Sequence, residues 1–159
     1  MIQTAALRTT VVALALGLAA CTQPPVSDDA IPGAEPANPA TAGALFANGC
    51  LRALPDFAGT PAALASEPVT QRRASGVYYH NTQNLSLKLV RTTAGTQCSV
   101  VFGTPLSEAQ AVAAFGAAAR AAAPTTTADV EITVTPGPGG LTYYNARTNA
   151  QFACRRLCR

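Results

Sequence analysis

Five cysteines are the residues of this sequence with the clearest chemistry, namely Cys21, Cys50, Cys98, Cys154 and Cys158. Cys154 and Cys158 have three residues between them, whereas redox-active pairs have two and zinc sites need further Cys or His ligands nearby. Their spacing therefore predicts neither a redox pair nor a zinc site. The sequence gives no reason to expect a metal ion or a cofactor.

The last four of these cysteines, Cys50, Cys98, Cys154 and Cys158, are disulfide candidates, and four cysteines allow three sets of pairs. On a continuous strand Cys154 and Cys158 would lie roughly 13 Å apart, well beyond the ~5.5 Å between the Cα atoms of a disulfide. We therefore expect long-range bonds that join the C-terminal segment to Cys50 and Cys98. Each bond would contribute about 2 to 4 kcal/mol to the stability of a small domain.

His80 is the only histidine, and it would have to be the base of any serine or cysteine hydrolase. Ser75, Ser86 and Ser99 are conceivable nucleophiles, but none lies in the glycine pattern of a nucleophile elbow. A half-exposed position on a strand is the simpler interpretation of His80, and no catalytic residue is assigned.

A pair of carboxylates could instead hydrolyse glycosides. Glu108 is better explained by the N-terminus of a helix, and Glu131 by the outward face of a strand. The acidic residues that could supply such a pair are Asp56, Glu67, Glu108, Asp129 and Glu131.

Basic residues outnumber acidic ones in residues 40–159, with ten Lys and Arg against five Asp and Glu, a net charge of +5. This charge favours anionic surfaces, but it is too dilute for nucleic-acid binding, which we exclude. A patch for an anion or a partner could be formed by Arg72, Arg73, Arg155, Arg156 and Arg159. A solvated chain end is the alternative interpretation of the last three.

The N-terminus has the layout of an export signal, because Arg8 precedes a short apolar run. Twelve helical residues span only ~18 Å of the ~30 Å hydrocarbon core, too little for a permanent anchor. The run ends in Leu18, Ala19, Ala20 and Cys21, which resembles the lipobox of bacterial lipoproteins. The resemblance implies cleavage between Ala20 and Cys21, acyl chains on the Cys21 thiol and, in most members, on its amino group.

Cysteine parity agrees with this resemblance, since lipidation of Cys21 leaves an even number of cysteines in an oxidising compartment. Several acyl chains hold a protein on a membrane stably. Thr22 follows the cysteine where many bacteria with two membranes place an Asp for inner-membrane retention, so the resemblance implies the outer membrane, facing the periplasm. The alternative is a secreted protein in which Cys21 is a fifth disulfide candidate.

Residues 1–20 are therefore predicted to be a signal peptide, residues 21–39 a lipidated cysteine with a Pro-rich mobile spacer, and residues 40–159 one domain. Apolar spacing predicts a short helix over 40–54 and one helical turn at 62–65. Ser107 and Gln110 stand at capping-box spacing before an Ala-rich helix over 108–123, which Pro124 ends.

Alternating patterns predict strands over 77–81, 85–90, 98–102, 130–135 and 141–147, with a sixth over 151–157. The short polar joins between the first three strands allow only antiparallel hairpins. The predicted fold is α+β, with one antiparallel sheet of five or six strands, the Ala-rich helix packed on one face and a short N-terminal helix.

These features favour a non-enzymatic lipoprotein whose domain binds or scaffolds an envelope protein or an anionic cell-wall polymer. The alternative is a small envelope hydrolase that uses His80 or a carboxylate pair. A cleft that places a serine or carboxylate within hydrogen-bond distance of His80 would favour the hydrolase. A lone His80 would favour binding.

Overall fold

One antiparallel sheet organises the fold in a computed structural model that describes residues 34–93, 95–126 and 128–149. The strand order is β1-β2-β3-β4-β6-β5. The strands are β1 Val69–Gln71, β2 Tyr78–His80, β3 Leu85–Thr92, β4 Gly95–Thr104, β5 Glu131–Pro136 and β6 Thr142–Asn149, and the helices are α1 Pro39–Phe46, α2 Thr60–Leu64 and α3 Glu108–Ala122. The predicted α+β class is confirmed.

The helices lie on one face of the sheet because the inward side chains of its central strands are apolar. Leu85 of β3 pairs with Phe102 of β4, and Phe102 pairs with Tyr144 of β6. The Phe102 ring stacks on Tyr144 at 5.1 Å and on Phe115 of α3 at 5.5 Å between ring centroids. Phe46 of α1 adds a fourth ring, 5.5 Å from Phe115. This aromatic cluster joins both longer helices to the sheet.

Helix α3 begins where its cap was predicted. The backbone N–H and the hydroxyl of Ser107 both donate hydrogen bonds to Oε1 of Gln110, at 3.3 and 2.8 Å. The helix ends at Ala122, before Pro124, as predicted. It packs closely on α1, where a Cβ atom at Gly43 would overlap the backbone oxygen of Phe115.

Helix α1 is shorter than the predicted helix over 40–54. Asn38 caps it through Oδ1, which accepts from the Ala40 N–H at 2.9 Å. A π-helical turn, Ala47–Leu51, continues it and carries Cys50 onto the sheet. Gly49 lies in this turn against Leu87, whose side chain would overlap a Cβ atom at this position.

The folded unit begins before Ala40, the predicted domain boundary. The Glu35 N–H donates to the Thr82 oxygen at 3.0 Å, and the Ala37 N–H donates to the Gly103 oxygen at 2.7 Å. Ala37 is buried. Residues 35–39, which the composition assigned to the spacer, therefore belong to the domain, because their backbone groups pair with the sheet.

The strand missed by the sequence patterns is β1, which lies in a stretch interpreted as loop apart from one helical turn. Val69–Gln71 pairs with Tyr78–His80, and three residues are too few to show an alternation. The helical turn predicted at 62–65 is present as α2. The predicted strand over 151–157 lies outside the described residues.

Candidate binding face of the sheet

The face of the sheet opposite the helices is the best candidate for a functional surface. Every second side chain of the central strands points to it. We call it the helix-free face, because no described helix packs there. It is formed by Tyr79, Ser86, Lys88, Ser99, Val101, Tyr143, Asn145 and Arg147. Lys88, Asn145 and Arg147 are part-exposed, and the other five are buried.

Two cations flank a hydroxyl on this face. In the register of the sheet, Lys88 of β3 lies opposite Ser99 of β4, and Ser99 lies opposite Arg147 of β6. Directly opposed residues have Cβ atoms about 5 Å apart, so the side chains of Lys88 and Arg147 rise on either side of Ser99. We call these three residues the cationic row.

Arg147 is oriented by an acid from the edge strand. Its Nε donates to Oε2 of Glu131 at 2.9 Å, and its second guanidinium nitrogen binds the other carboxylate oxygen. This hydrogen bonding lowers the pKa of Glu131 and raises that of Arg147, so both stay charged at neutral pH. The guanidinium group of Arg147 is thereby held beside Ser99.

Ser99 is a buried polar residue with an unused hydroxyl. It is 2% exposed, and its Oγ has no hydrogen-bond partner among the described residues. Oδ1 of Asn145, diagonally across the ladder from Ser99, is also buried without a partner there. An unpaired buried polar group costs about 1 to 3 kcal/mol. Neither atom is open to solvent, so a ligand would reach it only if the covering side chains moved.

An aromatic side chain and a third cation extend the face toward β1. Tyr79 pairs with Ser86, and the Arg72 guanidinium carbon lies 4.6 Å from the centroid of the Tyr79 ring. Cation and ring attract each other at this distance. Of the predicted arginine patch, the structure thus places Arg72 on this face and leaves Arg73 exposed, whereas Arg155, Arg156 and Arg159 lie outside the described residues.

A groove of about 230 Å³ adjoins the cationic row at the end of β6. Thr148 lines it with a buried hydroxyl that has no partner in the described part of the chain. The lining residues are Asp129, Val130, Glu131, Arg147, Thr148 and Asn149.

His80 has a structural role that the sequence did not indicate. It is 7% exposed, not half-exposed as predicted. Its Nδ1 accepts hydrogen bonds from the N–H groups of Thr82 and Gln83, at 3.3 and 3.2 Å, so the ring stabilises the bend after β2. Burial lowers the pKa of His80, against an opposing effect of Glu67. No serine hydroxyl or carboxylate of the described residues is hydrogen-bonded to it.

The acidic residues do not form the arrangement of a glycosidase. Asp56 accepts from the Ala58 N–H at 2.9 Å, and Glu67 accepts from the Asn48 side chain at 2.7 Å. Glu108 lies in the first turn of α3. Asp129 and Glu131 share the groove, but a general acid needs a raised pKa, whereas that of Glu131 is lowered.

The cysteine pairing expected from the sequence is wrong. Cys50 is bonded to Cys98, with Cα atoms 5.6 Å apart, so neither is bonded to the C-terminal segment. The reason is local: the π-helical turn places Cys50 on the inward side of β4, next to Cys98. Both are fully buried. Cys154 and Cys158, like Ala20 and Cys21, lie outside the described residues.

Within the described ranges, no helix has the length and apolar content to cross a bilayer, and no three His, Cys, Asp or Glu side chains meet as metal ligands would. Comparisons with protein-family models, with curated proteins and with solved structures found no match for the chain.

Sequence reasoning had not selected the cationic row. Ser99 was considered only as a nucleophile, and Lys88 and Arg147 were considered only as strand positions. The sequence does contain a relevant signal. Lys88, Ser99 and Arg147 are polar positions within predicted strands, and the register of the sheet places all three on one face.

Proposed function

We propose that this chain is a lipid-anchored protein of the bacterial envelope whose domain binds an anionic cell-wall polymer, without catalysis, through the helix-free face. The observation that carries the proposal is the cationic row, in which the part-exposed Lys88 and Arg147 flank the buried Ser99. Carboxylate and phosphate groups accept hydrogen bonds from guanidinium and ammonium donors together.

The presence of cations at two separate positions supports a polymer as the ligand. The sheet presents Arg72 over Tyr79 at one side and the cationic row at the other, with the small Ser86 between them. A chain that carries repeated anionic groups could contact both positions at once, and two weak contacts on one chain reinforce each other.

The lipid anchor is supported by the resemblance of Leu18, Ala19, Ala20 and Cys21 to a lipobox. We propose the outer membrane, facing the periplasm, because Thr22 and not Asp follows the cysteine. The acylated Cys21 would hold the domain near the cell wall.

The anchor is tested by labelling the native host with a fatty-acid probe. The wild-type chain is expected to take up the probe, and Cys21→Ser is expected to abolish uptake, because serine cannot form the thioether to the diacylglyceryl group. Label that survives Cys21→Ser, or a wild-type chain without label, would remove the anchor.

Binding is tested by co-sedimentation of a secreted form that starts at Thr22 with cell-wall material from the host. We expect the double variant Lys88→Ala, Arg147→Ala to lose at least about tenfold in affinity, since each charge-assisted hydrogen bond is worth about 1.5 to 3 kcal/mol. The matched control is Arg91→Ala, Arg120→Ala, which removes the same charge from other parts of the surface. Equal losses in both double variants would contradict a specific face.

A small hydrolase is not proposed. His80 accepts hydrogen bonds from two backbone N–H groups, and Asp56, Glu67 and Glu131 each have a separate local partner.

A further inference from the structure

Strand β5, Glu131–Pro136, forms one edge of the sheet and pairs with β6 alone among the described strands. Five of its six residues are exposed, and only Ile132 is half-buried. Val134 is 37% exposed, and Val130, just before the strand, is 40% exposed. An edge strand therefore presents apolar side chains to solvent.

The backbone of this edge has its own unpaired groups. The Gly137 N–H donates to the Leu141 oxygen at 2.9 Å, so these two residues form a hydrogen-bonded pair. This pair shows which residues of β5 direct their backbone groups toward β6. Bonded and non-bonded positions alternate in an antiparallel pair. Counting back from Gly137, the N–H and C=O groups of Thr133 point toward β6, whereas those of Ile132 and Val134 point away from the sheet.

The usual protections of an edge are sparse here. Natural edges carry lysines, prolines, inward charges, bulges or covering elements, and in β5 a proline stands only at the last position, Pro136. Between Glu131 and Pro136 the register has no bulge, the only charge is Glu131, and it binds Arg147 of the neighbouring strand. Such an edge is a template for another strand.

We propose that β5 pairs with β5 of a second copy of the chain, antiparallel and with the twofold axis at Thr133. This interface is separate from the proposed function and does not depend on the anchor or on the cationic row. The strand reads Glu-Ile-Thr-Val-Thr-Pro, and its polarity is symmetric about Thr133.

The twofold arrangement pairs the outward backbone groups of Ile132 and Val134. Ile132 lies opposite Val134 of the second copy, so their outward N–H and C=O groups form four hydrogen bonds by the symmetry of the pair. Their side chains pack together on the same face, and Glu131 lies opposite Thr135, which keeps the two acids apart. Pro136 has no N–H and falls at the end of the shared ladder.

The first test is sedimentation equilibrium of the secreted form that starts at Thr22. The mass is expected to rise from monomer to dimer with concentration. Val134→Pro removes an outward donor but no bond to β6, and Val134→Lys adds a charge to the packed pair, so either should raise the dissociation constant at least about tenfold. Leu106→Lys is the matched control, because Leu106 is 40% exposed outside the edge and should leave the mass unchanged.

The second test is cross-linking, which does not depend on the strength of association. At the axis, the two copies of residue 133 form a non-bonded pair with Cα atoms about 4.5 Å apart, within disulfide range. Thr133→Cys should therefore give a dimer on a non-reducing gel, and Thr135→Cys in the same background should not. A wild-type chain that stays monomeric up to about 1 mM would overturn the proposal. Equal cross-linking of Thr133→Cys and Thr135→Cys would also overturn it, and so would a loss of dimerisation in Leu106→Lys as large as in Val134→Lys.

Discussion

Nδ2 of Asn84 donates a hydrogen bond to the hydroxyl oxygen of Tyr143, 2.7 Å away, and both side chains are buried. The Tyr143 ring covers Gly103, where no Cβ atom could be placed without meeting it. Tyr143→Phe leaves the Asn84 amide without this acceptor. We expect the free energy of unfolding to fall by about 1 to 3 kcal/mol, measured by urea denaturation.

The neighbouring residue supplies the matched control. The Tyr144 hydroxyl is buried without a hydrogen-bond partner among the described residues, and burial raises its pKa. Tyr144→Phe removes an unsatisfied group and keeps the stacked ring, so it should be neutral or stabilising. Equal destabilisation by Tyr143→Phe and Tyr144→Phe would show that the hydrogen bond from Asn84 to Tyr143 does not stabilise the fold.

The alternation of these two tyrosines shows why much of the fold could be predicted. In β3, β4, β5 and β6 successive side chains point alternately toward the helices and to the other face, and the positions that face the helices are mostly apolar, so a period of two is present in the sequence. Helix α3 could be predicted from its cap residues and from Pro124, which follows its end. Strand β1 could not be predicted, because its three residues are half-buried or exposed and owe their conformation to pairing with β2.

Two glycines on facing helices should respond in opposite ways to the same substitution. Gly43→Ala places a methyl group onto the Phe115 backbone of α3, which cannot move aside as a side chain can. Forced separation of the helices should cost about 1 to 3 kcal/mol. Gly116→Ala meets only the flexible end of Arg120, and alanine is the better helix former, so it should gain up to about 1 kcal/mol. Thermal unfolding that moves both melting temperatures in the same direction would refute this contrast.

The Cys50 to Cys98 bond closes a loop across 48 positions of the chain. A loop of that size restricts the unfolded state by about 4 kcal/mol in the chain-entropy model. Cys50→Ala with Cys98→Ala should therefore lower the free energy of unfolding by about 2 to 5 kcal/mol, measured by denaturation of the secreted form. In the control, Cys154→Ala with Cys158→Ala, mass mapping of non-reduced peptides should still find Cys50 joined to Cys98. Free thiols at these two positions would contradict the pairing.

The candidate site was harder to predict than the fold, and the cationic row shows why. Lys88, Ser99 and Arg147 come from three strands, and only the register between those strands makes them neighbours. The disulfide was mispredicted for a related reason. Cys50 reaches β4 through a π-helical turn that no periodic pattern marks, so the sequence alone could not place it beside Cys98.

His80 should make stability depend on pH. Burial lowers the pKa of His80 in the folded chain below the ordinary histidine value of about 6.5, so the unfolded chain takes up a proton first as the pH falls. The stabilisation is complete above the unfolded pKa and is lost as the pH drops toward the folded pKa. Between about pH 7.5 and 5.5 the free energy of unfolding should decrease with falling pH, by at most about 1.4 kcal/mol per pH unit.

The matched variant is His80→Asn, because an asparagine oxygen can accept the same two N–H groups but does not titrate. Since the chain has a single histidine, this variant should lose the pH dependence in that range while other groups contribute equally to both proteins. Urea denaturation at intervals of half a pH unit measures the two slopes. Identical slopes for the wild-type chain and His80→Asn would mean that the imidazole is not buried as a neutral acceptor.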